Sequence, residues 1–435
     1  MVRKTFDQVK YNKNTKEKYP ICRHKSLDKN HQIGFIKCIY PVNPPLLPTE
    51  ITDRKMLTAT KIEIFPTKHQ RHTLKVWFKI YKKVYNLAID LAQKHEEYKF
   101  FNLRDKYVRP LYKELYKNKI KKYKINLKTL DNAINDVCKA HASTKANLKA
   151  GNITHFRLRP KRKCENKETI LINGECFDKP KKGRKTKNGV VGNREAINSF
   201  AFSAFGEFDC SENFAGTTHD TRLTFDKRQN KFYLFRVDEI SVIKKTNERK
   251  RECALDPGIR TFQTCYDTKS CISLGTGLDE TFVPLFKRID KVAKFKNKLW
   301  YEKYTSRIYQ KIQNKKDELH WQVANFLVKR YDEITIGKMS TSIVSKTKNM
   351  SKLNKRIYYA QAHFTFRQRL QFKCNQYGVK YNEIDESYTT QKCGNCGILN
   401  KVDRATVYNC GKCSFKWGRD HNGARNIMIK KDLRI

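Results

Sequence analysis

Residues 388–397 read YTTQKCGNCG and residues 410–427 read CGKCSFKWGRDHNGARNI. Within them Cys393-x-x-Cys396 and Cys410-x-x-Cys413 form two knuckles separated by thirteen residues, each presenting two thiolates on a tight turn. Gly394, Gly397, Gly411 and Lys412 suit those turns. Two knuckles supply a tetrahedral four-sulfur set matched to Zn2+. Four protein ligands leave no open position, so the site reads as structural rather than catalytic. Asp420 stands seven residues beyond Cys413, at the start of a helical pattern.

Two other carboxylates stand out upstream. Asp256, in ALDPG, ends an apolar strand and precedes Pro-Gly, a poor place for a packing residue. Glu386, in IDESYTT, follows another strand; alternation puts its neighbours Glu383 and Asp385 on the opposite face. Taken singly, each of the three has an ordinary explanation as a turn former, a surface carboxylate or a helix cap. Taken together, Asp256, Glu386 and Asp420 are what hydrolysis of a phosphodiester by two Mg2+ ions needs. Mg2+ takes carboxylate oxygens, and the paired ions must be approached from separate strands and a helix.

The surrounding pattern supplies those elements. Residues 252–275, ECALDPGIRTFQTCYDTKSCISLG, read as three strands joined by turns. A long helix over 283–330 follows, then the short strand EITIG at 333–337. A helix over 352–377 stops at Gly378, and VKYNEIDE at 379–386 is a further strand. This is an α/β order compatible with an RNase H-like sheet. His320, on the long helix, is expected in the core.

The rest of the chain is basic. Its 435 residues carry 92 Lys+Arg against 43 Asp+Glu, a formal net charge of +49. So large an excess repels itself unless a polyanion is bound, and nucleic acid supplies that counter-charge. Tyr107, Tyr112, Tyr116 and Tyr123 lie among Arg and Lys, as base-stacking residues or as helix core. Thr67 and Gln70 have capping-box spacing for a helix that runs on through apolar Leu74, Trp77, Phe78, Tyr81 and Val84. RLTFDKRQNKFYLFRV at 222–237 is a hairpin pattern, and PKKGRKTK at 180–187 is a phosphate-contacting or nuclear-localisation run. No run of 18 apolar residues spans a membrane, and the N-terminus lacks the apolar core of a secretory signal. The 14 cysteines are therefore expected reduced, in an intracellular protein, nuclear if its host is eukaryotic.

These residues carry a family resemblance. KIEIFPTKHQ (61–70) with VYNLAI (84–89), HFRLRPKRK (155–163), ALDPGIRTF (254–262) and the two cysteine stretches resemble the Fanzor proteins, eukaryotic and viral relatives of the TnpB RNA-guided nucleases. In most TnpB proteins a glutamate follows the strand matching EITIG; here Gly337 stands there, followed by Lys338. The Fanzor branch resembles this chain in carrying that acid just before the YT segment, where Glu386 lies.

The resemblance implies a multidomain α+β protein. It comprises a basic extension (1–57), a small β-barrel, wedge-like module (58–68 and 156–250) and a helical recognition module (69–155). A RuvC-like nuclease domain (251–435) follows, with a zinc ribbon inserted at 387–419. It also implies an RNA-guided DNA endonuclease with Asp256, Glu386 and Asp420 as catalytic Mg2+ ligands. An omega-type guide RNA and double-stranded target DNA would be its partners, and it would act as a monomer with no membrane association. Two other readings stand beside this one: a nuclease-dead, RNA-guided DNA-binding regulator, and a protein-guided nuclease or recombinase.

Overall fold

The computed structural model of the protein describes residues 32–33, 36–38, 46–162, 165–180, 184–186, 189–191, 195–247, 250–339, 350–402 and 405–433. Most of the extension expected over 1–57, and Lys181, Lys182 and Lys187 of the basic run, lie outside the described residues. The chain divides into two compact units: Leu57–Ile240, and residues 1–56 with 241–435. Among the described residues no helix is long and apolar enough to cross a membrane.

In chain order, short strands β1 (Gln32–Ile33) and β2 (Ile36–Cys38) come first, then the long strand β3 (Thr49–Phe65). Helix α1 (Lys68–His95) opens with the capping box read from the sequence. The Gln70 N–H donates to Thr67 Oγ1 at 3.3 Å, and the Thr67 N–H donates to Gln70 Oε1 at 2.8 Å. Helix α2 (Leu127–Lys149) packs beside it, and strands β4 (Lys167–Ile172), β5 (Asp209–Cys210), β6 (Thr221–Asp226) and β7 (Lys231–Lys245) follow. The sheet order is β4-β6-β7-β3-β5. The β6–β7 hairpin closes where Asp226 faces Lys231, as the alternating pattern predicts. Trp77, Phe78 and Val84 of α1, Leu130 and Ile134 of α2, and Ile170, Leu223 and Leu234 of the sheet form one core. The helical stretch and the strands expected as separate modules thus share a single interior. The expected small barrel stands as a five-stranded sheet with β4 and β5 outermost among the described residues.

The other unit is built on strands β8 (Glu252–Pro257), β9 (Gln263–Tyr266) and β10 (Cys271–Leu274), which pair antiparallel. Helices α3 (Leu278–Lys291) and α4 (Leu299–Val328) lead to β11 (Glu333–Gly337), which lies parallel to β8. Helices α5 (Lys352–Gln361) and α6 (His363–Gln376) lead to β12 (Lys380–Ile384), parallel to β11. A short hairpin of β13 (Val407–Asn409) and β14 (Lys416–Gly418) precedes the last helix, α7 (Arg419–Asp432). The sheet order is β1-β2-β10-β9-β8-β11-β12, so residues 32–33 and 36–38 of the N-terminal extension add two strands to its edge, while residues 49–57 belong to β3. Three antiparallel strands beside two parallel ones match the order read from the sequence.

Helices cover both faces. Cys253 and Leu255 of β8 point into a core with Leu319, Val323, Ile336, Phe366 and Leu370. Ala254, one residue out of phase, faces Ala424, Ile427 and Met428 of α7 on the other side. Asp256 shares that second phase. The long helix expected over 283–330 is instead α3 and α4 with a break between them. Lys294 and Lys298 place like charges at i, i+4 in this stretch, a weak opposition to helix that Arg307, Lys311 and Lys315 of α4 also carry. The helix expected over 352–377 also divides, at Ala362, which takes left-handed φ 47°.

Candidate active site

The sheet ends, the β12 loop and the first turn of α7 bring the three carboxylates to one cleft of about 870 Å³. Asp256 comes from the central strand β8, Glu386 from two residues past β12, and Asp420 from the second residue of α7. Arg419, Arg260, Asn354, Thr390 and Gln391 complete the wall.

Asp256 is buried, and its carboxyl titrates well above the usual range. Burial is the main cause; the charges of Asp420 and Glu386 add to it, and Arg419 opposes. Glu386 is pushed up to about 7, again chiefly by burial, then by Asp385, against Arg367 and Lys430. Its Oε2 is a buried oxygen without a hydrogen-bond partner. Asp420 is held by its neighbour, Arg419 Nη2 donating to Oδ1 at 3.0 Å. The sequence neighbours of Glu386 go elsewhere. Asp385 pairs with Lys430 at 3.3 Å, and Glu383 pairs with Arg367 at 3.5 Å and accepts from the Tyr381 hydroxyl.

Two glycines make the cleft possible. A Cβ on Gly337 would stand 2.9 Å from Glu386 Oε2 and 3.2 Å from Glu386 Cβ. Glu386 therefore occupies the space that a side chain at 337 would fill. A Cβ on Gly423 would stand 2.6 Å from Asp256 Oδ2, so α7 can lie over Asp256 only with glycine there.

The four thiols expected to bind zinc converge. Their sulfurs all lie within 4.8 Å of one another, with Cys393–Cys413 at 3.7 Å and Cys396–Cys410 at 3.6 Å. Tetrahedral Zn–S bonds of about 2.3 Å put the sulfurs about 3.8 Å apart, so this donor set fits Zn2+. Asn395 Nδ2 donates to Cys413 Sγ and Asn400 Nδ2 to Cys410 Sγ. The carboxyl groups line their cleft without closing on one point as the thiols do.

Sequence reasoning missed the side chains that tie these parts together. Asn422 accepts from the Gly394 N–H at 3.0 Å and donates to the Lys392 carbonyl at 2.8 Å. Buried Arg425 donates to the Gly394 carbonyl, and Asn426 donates to the Thr389 and Lys392 carbonyls, each at 2.8 Å. Helix α7 thus grips the first knuckle and the loop after Glu386. Polar residues at i, i+3 and i+4 in NGARN were the available signal. In the turn after Asp256, Gln361 Nε2 donates to the Ile259 carbonyl at 2.6 Å, and its Oε1 accepts from His363 Nε2 at 2.9 Å. His320 is core, as expected: it meets the Gln361 carbonyl at 2.7 Å and stacks on Phe262.

Comparison with known proteins places this architecture. Residues 363–427 match the family model described as Cas12f1-like, TNB domain, and residues 234–353 match that described as Probable transposase, OrfB_IS605. Residues 56–99 match the associated helix-turn-helix model, although here they fold as the end of β3, a tight turn and the single helix α1. TnpB-like protein L79 of Acanthamoeba polyphaga mimivirus is 26% identical over 398 residues, covering 86% of this chain and 73% of the relative. Putative transposase R186 of the same virus is 25% identical, covering 93% and 86%. The CRISPR-associated endodeoxyribonuclease Cas12f1 of Sulfoacidibacillus thermotolerans is 29% identical over 83 residues, 19% of this chain and 20% of that protein. The chain is thus similar to TnpB-like and Cas12f1 proteins over the stretches matched. This chain is a relative of the TnpB-like proteins of giant viruses, as the Fanzor resemblance implied.

Gly337→Ala is expected to push the Glu386 carboxylate aside at little cost in stability, because the crowded atoms include the mobile end of that side chain. Titration with Mn2+ checks this: affinity at the cleft should fall about tenfold or more while the melting temperature stays near wild type. A second expectation concerns pH. Without divalent ions in the cleft, Glu386 titrates near 7 when folded against 4.5 for an exposed glutamate. The folded state then holds an extra proton between these values, so this contribution is full below 4.5, drains as pH rises to 7, and stays lost above. Urea unfolding across this range should show wild type losing up to about 3 kcal/mol relative to Glu386→Gln.

Proposed function

We propose that this protein is an RNA-guided DNA endonuclease. It binds a transposon-derived guide RNA and cuts complementary DNA in the cleft of Asp256, Glu386 and Asp420. The observation that carries the reading is the partnerless Glu386 Oε2, seated over Gly337 and facing the same cleft as buried Asp256. Buried carboxylates with Arg419 as the opposing charge are unstable as a bare cluster, and hard divalent cations relieve them. Asp256, Glu386 and Asp420 would hold Mg2+ ions there. Bound there, the ions would supply an activated water and charge relief at the leaving oxygen.

The protein's own groups do the rest. Asp256, on the most constrained strand, fixes the reference point of the cleft. Glu386 and Asp420 approach it from the β12 loop and α7. Arg419 lies beside Asp420, where it offsets carboxylate charge and can meet a phosphate. The zinc ribbon over 387–419 holds the segment between Glu386 and Asp420 and so sets their spacing. The sheet and helices of Leu57–Ile240, as wedge-like and recognition modules, would hold the guide RNA with the net charge of +49 behind them. Pairing reads the target, as in other RNA-guided effectors. We further propose that the protein acts as a monomer inside the cell, in the nucleus of a eukaryotic host. The nuclease-dead regulator reading rested on Gly337, and the position of Glu386 over that glycine weighs against it.

Expression with its flanking DNA, followed by sequencing of the bound RNA and a Mg2+-dependent cleavage assay, tests the proposal. A discrete co-purifying RNA and cleavage directed by it are expected, together with about one zinc per chain by elemental analysis. Asp256→Ala, Glu386→Gln and Asp420→Ala should each lower cleavage by at least about a hundredfold without loss of the RNA. Full cleavage by any of them removes that residue from the site, and cutting by RNA-free protein returns the role to protein-guided recognition.

A further inference from the structure

Helix α4 carries an aromatic and cationic face that neither the core nor the carboxylate cleft uses. Its inner side is anchored: Thr305, Ser306, Ile308, Ile312 and Leu319 are buried. Its outer side shows Trp300 at 46% exposure and Tyr304 at 38%, with Phe295 at 37% in the turn before the helix. Trp300, Tyr304, Arg307 and Lys311 fall at i, i+4, i+7 and i+11, one side of the helix over about 16 Å. Lys303 lies beside them.

The rings are arranged side by side. Phe295 and Trp300 have centroids 5.5 Å apart at 50°, and Trp300 and Tyr304 are 6.0 Å apart at 81°. Trp300 and Tyr304 meet edge to face, so one ring face of the pair is covered by the other ring, and the exposed remainder of both rings is open to another aromatic plane. Lys294 stands 5.2 Å over the Phe295 ring. Among the described residues no ion pair ties Lys303, Arg307 or Lys311 to a carboxylate, whereas Lys315 and Lys316, further along the same helix, have Glu318 and Asp317.

A second copy of the same face would bring lysines against lysines. The occupant that satisfies both features is a polyanion with flat aromatic planes. Bases in a duplex offer these rings only their edges, while unpaired bases offer faces. The geometry points to a platform on α4, formed by Trp300 and Tyr304 with Lys303, Arg307 and Lys311, that stacks the unpaired bases of a single DNA strand. Its two rings, 6.0 Å apart, offer places for about two bases, and the cations beyond them continue along the backbone. The choice of DNA rests on the reading of the same unit as a DNA nuclease, whose substrate strand must be parted from its complement.

The test uses the full-length chain and Trp300→Leu/Tyr304→Leu, which keeps apolar bulk and removes the rings. Each is titrated, without added Mg2+, with a short oligo-deoxythymidylate, an abasic strand of equal length, a duplex, and the matching uridylate strand. Wild type should bind the oligo-deoxythymidylate more tightly than the abasic strand. The variant should lose about tenfold or more on the deoxythymidylate and keep its affinity for the abasic strand and the duplex, since stacking contributes about 1–3 kcal/mol per base. An equal loss on every ligand, no loss on any, or a ring-dependent preference for uridylate overturns the platform. Cleavage is not the readout. Ring-dependent binding with no cutting sinks the nuclease reading alone, and cutting without ring-dependent binding sinks the platform alone.

Discussion

The burial of Asp256 with two further carboxylates, Asp420 and Glu386, beside it is the constraint on which the rest of this unit depends. Placing Asp256 on a central strand removes it from water, and placing Asp420 and Glu386 nearby raises the cost of its charge further. Nothing in folding alone rewards such a cluster. The surrounding chain therefore has to enforce it, and it does so by rigid means. The strand is paired on both sides, Gly423 lets α7 lie over Asp256, and Gly337 leaves room for Glu386. Gln361 and His363 support the turn that follows Asp256.

Helix α7 connects the two chemistries of the unit. Its first turn holds Asp420, and its next turn holds Asn422, Arg425 and Asn426, which grip the cysteine knuckle and the segment after Glu386. The first cysteine knuckle is thus tied by hydrogen bonds to the helix that carries Asp420. Its thiols fix one end of a loop whose other end is an acid of the cleft. A change in the ribbon is felt at Asp420 through a handful of buried hydrogen bonds, each too costly to leave unmade.

Much of this was legible in the sequence, and the reasons differ by element. The knuckles were readable because metal ligands obey spacing, and the strands of 252–275 because buried strands show as apolar runs between turns. The capping box of α1 was readable because it is a local bond. The break between α3 and α4 was not, since apolar spacing persists across it and the like-charge spacing of Lys294 and Lys298 recurs within α4 at Arg307, Lys311 and Lys315. Gly337 was visible as a departure from a pattern, but the room it leaves for Glu386, 49 residues further on, exists only in the folded chain. The sequence could name Asn422, Arg425 and Asn426 only as polar helix residues, because their partners are backbone groups that no sequence displays.

Anomalous diffraction from crystals soaked in Mn2+ tests the central claim most directly, since it reports where divalent ions sit without relying on cleavage. The account predicts density between Asp256, Glu386 and Asp420, with Glu386 Oε2 among the ligands. Density at Asp385 or Glu383 with none in the cleft, or ions held by Asp256 and Asp420 while Glu386 stays apart, would contradict it.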